Sequence, residues 1–263
     1  MHHKTKTKYI IFRARGKKLP DTLPNVIFNE NEDGCPFNPE LVYTLERFHS
    51  NHGSKECRAY KLLGIYLDEH LSFDYHIDFL CKKLSKSLFC INLAKSNVNF
   101  IGLRALYFAI IHSHLSYCPI ILNCTSKNNL NRLGKVQKKA IRIITQSAYN
   151  AHTRELFFQT GILPLDKIIK QSQLLFMHSI FYSYAPASFL NIWTTQNQLQ
   201  PIYNLRNAND FILPYPRTEQ FKRSPIYSLP FIWNGAGDIT LQQNRTTFKF
   251  ALKSTLLDEL AEQ

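Results

Sequence analysis

The chain has 263 residues, of which 44% are hydrophobic and 19% charged. This composition is typical of a globular protein and excludes an intrinsically disordered one. No apolar run approaches the roughly 18 residues that a membrane-spanning helix needs, and the basic start is followed by too short an apolar run for a signal peptide. We therefore expect an intracellular protein of the nucleus or cytoplasm, with no membrane partner.

Short strands are the elements predicted for residues 1–73. β-Branched and aromatic residues predict strands at Lys8–Phe12, Val26–Phe28 and Tyr60–Leu67. Between residues 17 and 51 the chain is rich in Pro, Asn and acidic residues, which favours loops. We interpret Gly64, inside the third of these strands, as a bulge or a close approach of another backbone.

Helical periodicity begins near Asp74, where apolar residues start to recur at spacings of three and four. These spacings predict two successive amphipathic helices. Their apolar residues are Ile77, Leu80, Leu84, Leu88 and Ile91 in the first, and Leu103, Leu106, Tyr107, Ile110 and Ile111 in the second.

A third helix, predicted for Asn128–Thr145, has one apolar face and one cationic face. The apolar face consists of Leu130, Leu133, Ala140, Ile141 and Ile144, and the opposite face carries Arg132, Lys135, Lys139 and Arg142. A solvated surface helix normally mixes Glu with Lys for paired support, but this helix has no acidic residue. The pattern therefore favours a polyanionic ligand.

The net charge of +13 is concentrated in one central block. The 76 residues from Phe79 to Arg154 contain twelve basic side chains and no carboxylate, whereas the remaining 187 residues carry 20 basic and 19 acidic groups. A surface that faces phosphates needs such a stretch, because any carboxylate would repel them. The expected partner is RNA, DNA or an RNA–DNA duplex. An anionic membrane and an acidic protein are the alternatives, and no specific protein partner is inferred.

The composition changes after Ala148. Helices are predicted at Glu155–Phe158 and Leu163–Ile180, and a short amphipathic one at Thr246–Leu260. Six prolines between residues 186 and 237 argue against long regular elements there.

No convincing active site emerges from residue types and spacings. The densest polar cluster is Asp68, Glu69, His70, Asp74, His76 and Asp78. Its spacing matches no metal-ligand pattern, and we interpret its acids mainly as partners of a helix N-terminus. We interpret His112 and His114 as packed or solvated. The six cysteines contain no Cys-x-x-Cys pair and are expected to be reduced and mostly buried.

Several short motifs resemble the distal part of reverse transcriptases from jockey-like non-LTR retrotransposons. The resemblance spans nearly the whole chain and rests on the order of individually weak motifs. They are Lys6-Thr-Lys-Tyr-Ile-Ile-Phe12, Tyr60-Lys-Leu-Leu-Gly-Ile-Tyr-Leu-Asp68, Leu71-Ser-Phe73, His76-Ile77, Leu106-Tyr107, Leu115-Ser-Tyr-Cys118, Leu133-Gly-Lys-Val-Gln-Lys-Lys-Ala-Ile-Arg142, Gly161-Ile-Leu-Pro-Leu165 and Trp233-Asn234.

The resemblance implies an α+β fold in three parts. Residues 1–73 would be a small antiparallel strand remnant of the palm with its Leu-Gly hairpin, residues 74–150 a helical thumb, and residues 151–263 a C-terminal extension. It also implies the site residues. Lys82, Lys83, Lys86, Arg132, Lys135, Lys139 and Arg142 would contact duplex phosphates, and Leu63 and Gly64 would form the primer-side hairpin.

The resemblance further implies an RNA-directed DNA polymerase whose catalytic part is missing from this sequence. In the family, paired aspartates in an aromatic-Ala-Asp-Asp strand position two metal ions, and that tetrapeptide does not occur here. Mg²⁺ would belong to that missing strand, so no cofactor and no catalytic residue are expected beyond Lys6 as a remnant general acid. We expect a truncated copy or a gene model begun at an internal Met, inactive alone. A stand-alone nucleic-acid-binding helical protein and a basic protein-interaction scaffold are the alternatives.

Overall fold

The computed structural model describes residues 8–14, 17, 27–29, 42–44, 46–47, 59–199 and 209–262. The chain divides into two compact units, residues 1–76 and residues 77–263. Over the described residues the structure is mainly helical with small strand pairs, which is an α+β architecture.

The strands that the structure describes in the first unit form three separate pairs. They are β1 (Lys8–Tyr9) with β4 (Glu46–Arg47), β2 (Ile27–Asn29) with β3 (Val42–Thr44), and β5 (Tyr60–Leu62) with β6 (Ile65–Leu67). The last two pairs are antiparallel, but β1 and β4 are parallel. The small antiparallel remnant that was expected is therefore confirmed for two of the three described pairs, and the β1–β4 pair departs from it. Parallel pairing is possible here because a long connection separates the two strands.

Residues 60–67 form a hairpin, so the single strand predicted there is wrong. Tyr60 pairs with Leu67 and Leu62 with Ile65. The two linking residues, Leu63 and Gly64, have φ angles of +46° and +87°. A two-residue hairpin turn favours positive φ at both positions, because its twist then matches that of the strands. Gly64 therefore serves the turn and not a bulge, whereas Leu63 adopts its conformation at a steric cost.

The polar cluster before the first helix is used mostly for local structure. The Asp68 carboxylate accepts hydrogen bonds from the backbone N–H of Ser72 at 2.7 Å and from its hydroxyl. Glu69 is buried and pairs with Arg13, whose Nε lies 3.2 Å from Glu69 Oε2. Asp74 lies in the first turn of the helix, where a negative charge complements the helix dipole.

Helices make up the second unit and the last residues of the first. They are α1 (Asp74–Ala94), α2 (Phe100–Tyr107), α3 (Ser113–Leu115), α4 (Pro119–Asn123), α5 (Lys127–Ile144), α6 (Thr153–Thr160), α7 (Leu165–Phe181), α8 (Ala187–Leu190), α9 (Gln196–Leu199), α10 (Glu219–Arg223), α11 (Pro225–Asn234) and α12 (Arg245–Glu262). A π-helical segment, Phe108–His112, joins α2 to α3, and a 3₁₀ turn, Gly237–Leu241, precedes α12.

The apolar faces predicted for the first three helices are confirmed. Their apolar residues are buried or partly buried in one hydrophobic core, to which α7, α11 and α12 also contribute. Local caps set the helix starts, since the side chains of Asn99 and Ser126 accept hydrogen bonds from Gly102 and Asn129. The helix predicted at Leu163–Ile180 corresponds to α7, with Pro164 at its N-cap.

A buried glutamine connects α5 to the rest of this core. Gln137 is only 1% exposed, and its Nε2 donates to the Tyr107 hydroxyl at 2.8 Å and to the Leu163 carbonyl at 2.9 Å. A buried amide is costly unless its hydrogen bonds are made. Both amide hydrogens are therefore used, and α5 is fixed against α2 and the segment that leads into α7.

The proline-rich region contains a longer helix than its composition predicts. Helix α11 continues past Pro230, which has no N–H to donate to the Ile226 carbonyl. The indole N–H of Trp193 donates to that carbonyl instead, at 3.0 Å. An acceptor left unpaired by the proline thus has a partner, so the helix can continue.

Trp233 and Asn234, two residues of the resemblance, have structural roles. Trp233 is buried, with its ring centroid 5.4 Å from that of Phe181 and 6.5 Å from that of Phe211. The Asn234 side chain accepts from the Phe211 N–H at 2.9 Å and donates to the Phe211 carbonyl at 2.8 Å. The Asn234 amide thus forms with the backbone of Phe211 the two hydrogen bonds that a residue of a neighbouring strand would form.

The substitution Gln137→Leu is expected to lower the free energy of unfolding by about 1–3 kcal/mol, because the Tyr107 hydroxyl and the Leu163 carbonyl each lose a buried donor. Denaturant unfolding measures this change. Lys138→Gln alters the next, exposed residue and should change stability by less than about 0.5 kcal/mol. Equal stabilities of the two variants would contradict the structural role of Gln137.

Alkaline pH should destabilise the protein through Tyr107. Burial raises the pKa of this tyrosine from 10.0 to about 12, although the hydrogen bond from Gln137 acts in the opposite direction. Between these two values the folded state binds more protons than the unfolded state, so stability falls as pH rises. Melting temperatures of the wild type and Tyr107→Phe across this range provide the test. The wild type should lose stability more steeply, and parallel curves would refute the expectation.

Candidate nucleic-acid interface

The block without carboxylates, Phe79–Arg154, lies entirely within the described residues and extends from α1 into α6. Nine of its twelve basic side chains are exposed. They are Lys82, Lys83, Lys86, Lys95, Lys127, Arg132, Lys135, Lys138 and Lys139. Eight of these nine are lysines, so the exposed charge of the block is mostly ammonium.

The other three basic side chains of the block are arginines that bind backbone carbonyls. Arg104 Nε donates to Thr160 at 2.8 Å and Arg154 Nε to Leu260 at 2.6 Å. Arg142, one of the predicted phosphate contacts, is half-buried, and its Nε donates to Ala151 at 3.0 Å. Arg142 thus holds the segment after α5 in place.

An ion pair joins α1 and α5 near their N-terminal ends. Arg132 Nη2 lies 2.6 Å from Asp78 Oδ1, and Arg132 Nη1 lies 3.3 Å from Asn129 Oδ1. Both charged side chains are about half exposed, so solvent screens the pair and its contribution to stability is small. The charge of Arg132 is nevertheless shared with a carboxylate, which weakens its claim as a phosphate contact.

A groove of about 690 Å³ separates the C-terminal halves of the same two helices. Its lining comprises Leu88, Asn92, Lys95, Ser96, Lys139, Arg142, Ile143, Gln146, Ser147 and Tyr149. Because early residues of α1 meet early residues of α5, and late residues meet late ones, the two helices run in the same direction. Three of the ten lining residues are cationic, and no Asp or Glu is among the ten.

The remaining predicted contacts lie on more than one surface. Lys135 lines a second cavity of about 380 Å³ between α5 and the start of α7, together with Lys138 and the acidic Asp166. Burial, and to a smaller extent the charge of Lys83, lower the pKa of His114.

Lys82 and Lys86 are exposed and four residues apart, so they share one face of α1. Of the seven predicted contacts, the structure therefore brings only Lys139 and Arg142 together in one groove.

Eight of the ten lining residues of the groove were not among the predicted contacts, including Lys95, Gln146 and Tyr149. Lys95 belongs to the block without carboxylates, so charge alone could have indicated it. Tyr149 is 80% exposed in the loop after α5. Gln146 has a φ of +53°. The sequence shows neither this conformation nor which helix lies across the groove from Gln146.

The other predicted site residues lie in the first unit. Leu63 is 83% exposed at the tip of the hairpin, next to Gly64. Lys6 lies outside the described residues.

Other expectations concern metal, thiol and membrane chemistry. Among the residues that the structure describes, no group of three or more His, Cys, Asp or Glu side chains is placed to hold a metal ion. The described part of the chain also contains no helix long and apolar enough to span a membrane.

The expectation of mostly buried cysteines is wrong for the four that are described. Cys90 and Cys118 are exposed, and Cys81 and Cys124 are half-buried. Leu84 and Ile91 are seven residues apart and share the buried face of α1. Cys90 is turned away from that face and is therefore exposed.

Arg142→Gln is expected to lower the free energy of unfolding by about 1–2 kcal/mol, because the charge-assisted bond to Ala151 is lost. Lys139→Gln removes the same charge from an exposed neighbour on the same helix and should leave stability nearly unchanged. Thermal or denaturant unfolding of both variants distinguishes the two roles. Equal losses of stability in the two variants would show that the bond from Arg142 to Ala151 does not stabilise the fold.

Comparisons with known proteins give no match. No protein-family model matches the chain, and no curated protein or solved structure is significantly similar to it. Residue chemistry and geometry therefore carry the functional assignment.

Proposed function

We propose that the chain is the C-terminal part of a non-LTR retrotransposon reverse transcriptase and that its helical unit holds an RNA–DNA duplex. The exposed lysines of α1 and α5 would contact the phosphates of the duplex. The single observation that carries this proposal is the block Phe79–Arg154, which has nine exposed cations and no carboxylate of its own. Of these cations, Arg132 shares its charge with Asp78, which lies directly before the block.

The type of cation supports backbone contacts that do not depend on sequence. Lysine carries a compact, hydrated charge on a flexible stem, which suits attraction to many phosphates in varying positions. The arginines of the block, which read bases and fix bidentate geometry best, mostly bind backbone carbonyls of the protein itself. A duplex of any sequence could therefore be held, as a polymerase requires.

The positions of the resemblance motifs support the family proposal in a different way. Tyr107, Gln137 and Leu163 come from three motifs that are distant in the sequence, and they meet in one buried hydrogen-bond network. Residues that hold helices together are the ones that a shared helical fold would need. The resemblance therefore concerns the fold of a thumb more than its chemistry.

In the proposed role this chain supplies binding and not catalysis. The paired aspartates of such polymerases, and the Mg²⁺ that they hold, would come from a strand that this sequence does not contain. The hairpin would approach the primer strand. Its tip carries the exposed apolar side chains of Leu62 and Leu63, the latter in an unfavourable backbone conformation, which favours contact with a partner.

The affinity for an RNA–DNA hybrid and for a DNA duplex is expected to fall steeply with salt. Each neutralised phosphate contributes a slope of about −0.9 in a plot of log affinity against log salt for B-form DNA. The double variant Lys135→Gln/Lys139→Gln should therefore bind more weakly and reduce the magnitude of the slope by about two. Fluorescence anisotropy over a salt series measures both quantities.

The matched control is Arg217→Gln/Lys249→Gln, which removes two exposed charges outside the block. This control should leave the slope close to that of the wild type. The proposal fails if both double variants change the slope equally, or if the protein binds an acidic polypeptide but no duplex.

A further inference from the structure

The groove between α1 and α5 has a size and a floor that phosphate contacts alone do not need. Its volume of about 690 Å³ falls within the range of about 300–1,000 Å³ that small-ligand sites occupy. Leu88 and Ile143, both half-buried, give it apolar surface. A duplex backbone would require neither an apolar floor nor a cavity.

The rest of the lining combines charge with an aromatic ring. Lys95, directly after α1, and Lys139, on α5, are exposed cations on opposite sides of the groove. Tyr149 lies at the groove with 80% of its surface exposed. Exposed aromatic rings beside cations are how proteins bind unpaired bases, because every base has a face that can stack.

Gln146 adds a polar side chain to the lining of the groove. It adopts a left-handed conformation, with φ of +53°, directly after the C-cap of α5. Glycine is the usual residue at this place, because any side chain adds steric cost. The helix cap explains the conformation, because the N–H of Ser147 donates to the Arg142 carbonyl at 3.0 Å and the N–H of Gln146 to the Ile143 carbonyl at 3.2 Å. The side chain of Gln146 then lines the groove. Its amide and that of Asn92 can both donate and accept hydrogen bonds.

We propose that this groove binds one unpaired nucleotide of a nucleic-acid strand. The base would stack on Tyr149 above the apolar floor, the amides of Asn92 and Gln146 would contact its edge, and Lys95 and Lys139 would contact the adjoining phosphates. The inference rests on the proposed function for the duplex from which this strand extends. An acidic peptide would satisfy the cations but would use neither the ring nor the amides.

The test compares a blunt DNA duplex with the same duplex bearing a short unpaired extension, by fluorescence anisotropy. Stacking of one base should tighten binding of the extended duplex about 5- to 100-fold. Tyr149→Ala should abolish this preference and leave the affinity for the blunt duplex unchanged. The matched control, Tyr215→Ala, removes a tyrosine that is 87% exposed and does not line the groove, and it should preserve the preference.

Gln146→Gly separates a binding role from a structural one. Glycine relieves the left-handed conformation, so the variant should melt at a higher temperature than the wild type. It should nevertheless lose part of the preference for the extended duplex. A stabilised variant with an unchanged preference would show that the Gln146 amide does not contact the base.

Failure of this inference differs from failure of the proposed function. Equal affinity of the wild type for both duplexes, with strong salt dependence, would overturn the nucleotide site and leave duplex binding intact. Binding of a free single strand that depends on Tyr149, with no affinity for the blunt duplex, would support the groove and overturn the duplex role. Displacement of the strand by an acidic peptide, with no effect of Tyr149→Ala, would overturn the nucleotide site.

Discussion

The helical unit depends on the two hydrogen bonds that the buried amide of Gln137 donates to the Tyr107 hydroxyl and the Leu163 carbonyl. These bonds fix the rotation of α5 about its axis, because the amide has to face α2 and the start of α7. Lys135 and Lys139, two residues to either side, must then face outward. This contact thus acts together with the buried apolar face of α5, formed by Leu133, Ala140, Ile141 and Ile144, to set which side of the helix is cationic.

Arginine and lysine have different roles in the block without carboxylates. Arg104, Arg142 and Arg154 each direct a guanidinium nitrogen to a backbone carbonyl, because the rigid fork of donors loses little freedom when it binds. The lysines have no such fork and remain at the surface. The net charge of the sequence therefore overstates the number of cations available to a ligand. Lys95 and Lys139, exposed on opposite sides of the groove, remain available.

Much of the second unit could be predicted from the sequence. The apolar spacing in α1 and α5 follows the helix period, and each buried face results from it. The long-range contacts could not be predicted, because the hydrogen bonds of Arg104 to Thr160 and of Trp193 to Ile226 depend on how the helices pack. At residues 60–67 the residue pattern predicted one strand, because a branched residue such as Leu63 rarely adopts a positive φ. The hairpin there was implied only by the resemblance.

The most direct test of the account is acylation of surface lysines, measured by mass spectrometry with and without an RNA–DNA hybrid. The account predicts that the hybrid protects Lys82, Lys86, Lys135 and Lys139 from modification and leaves Lys249, on α12, as reactive as before. Equal protection of all five lysines, or none at a hybrid concentration that saturates binding, would contradict a phosphate-binding surface on α1 and α5.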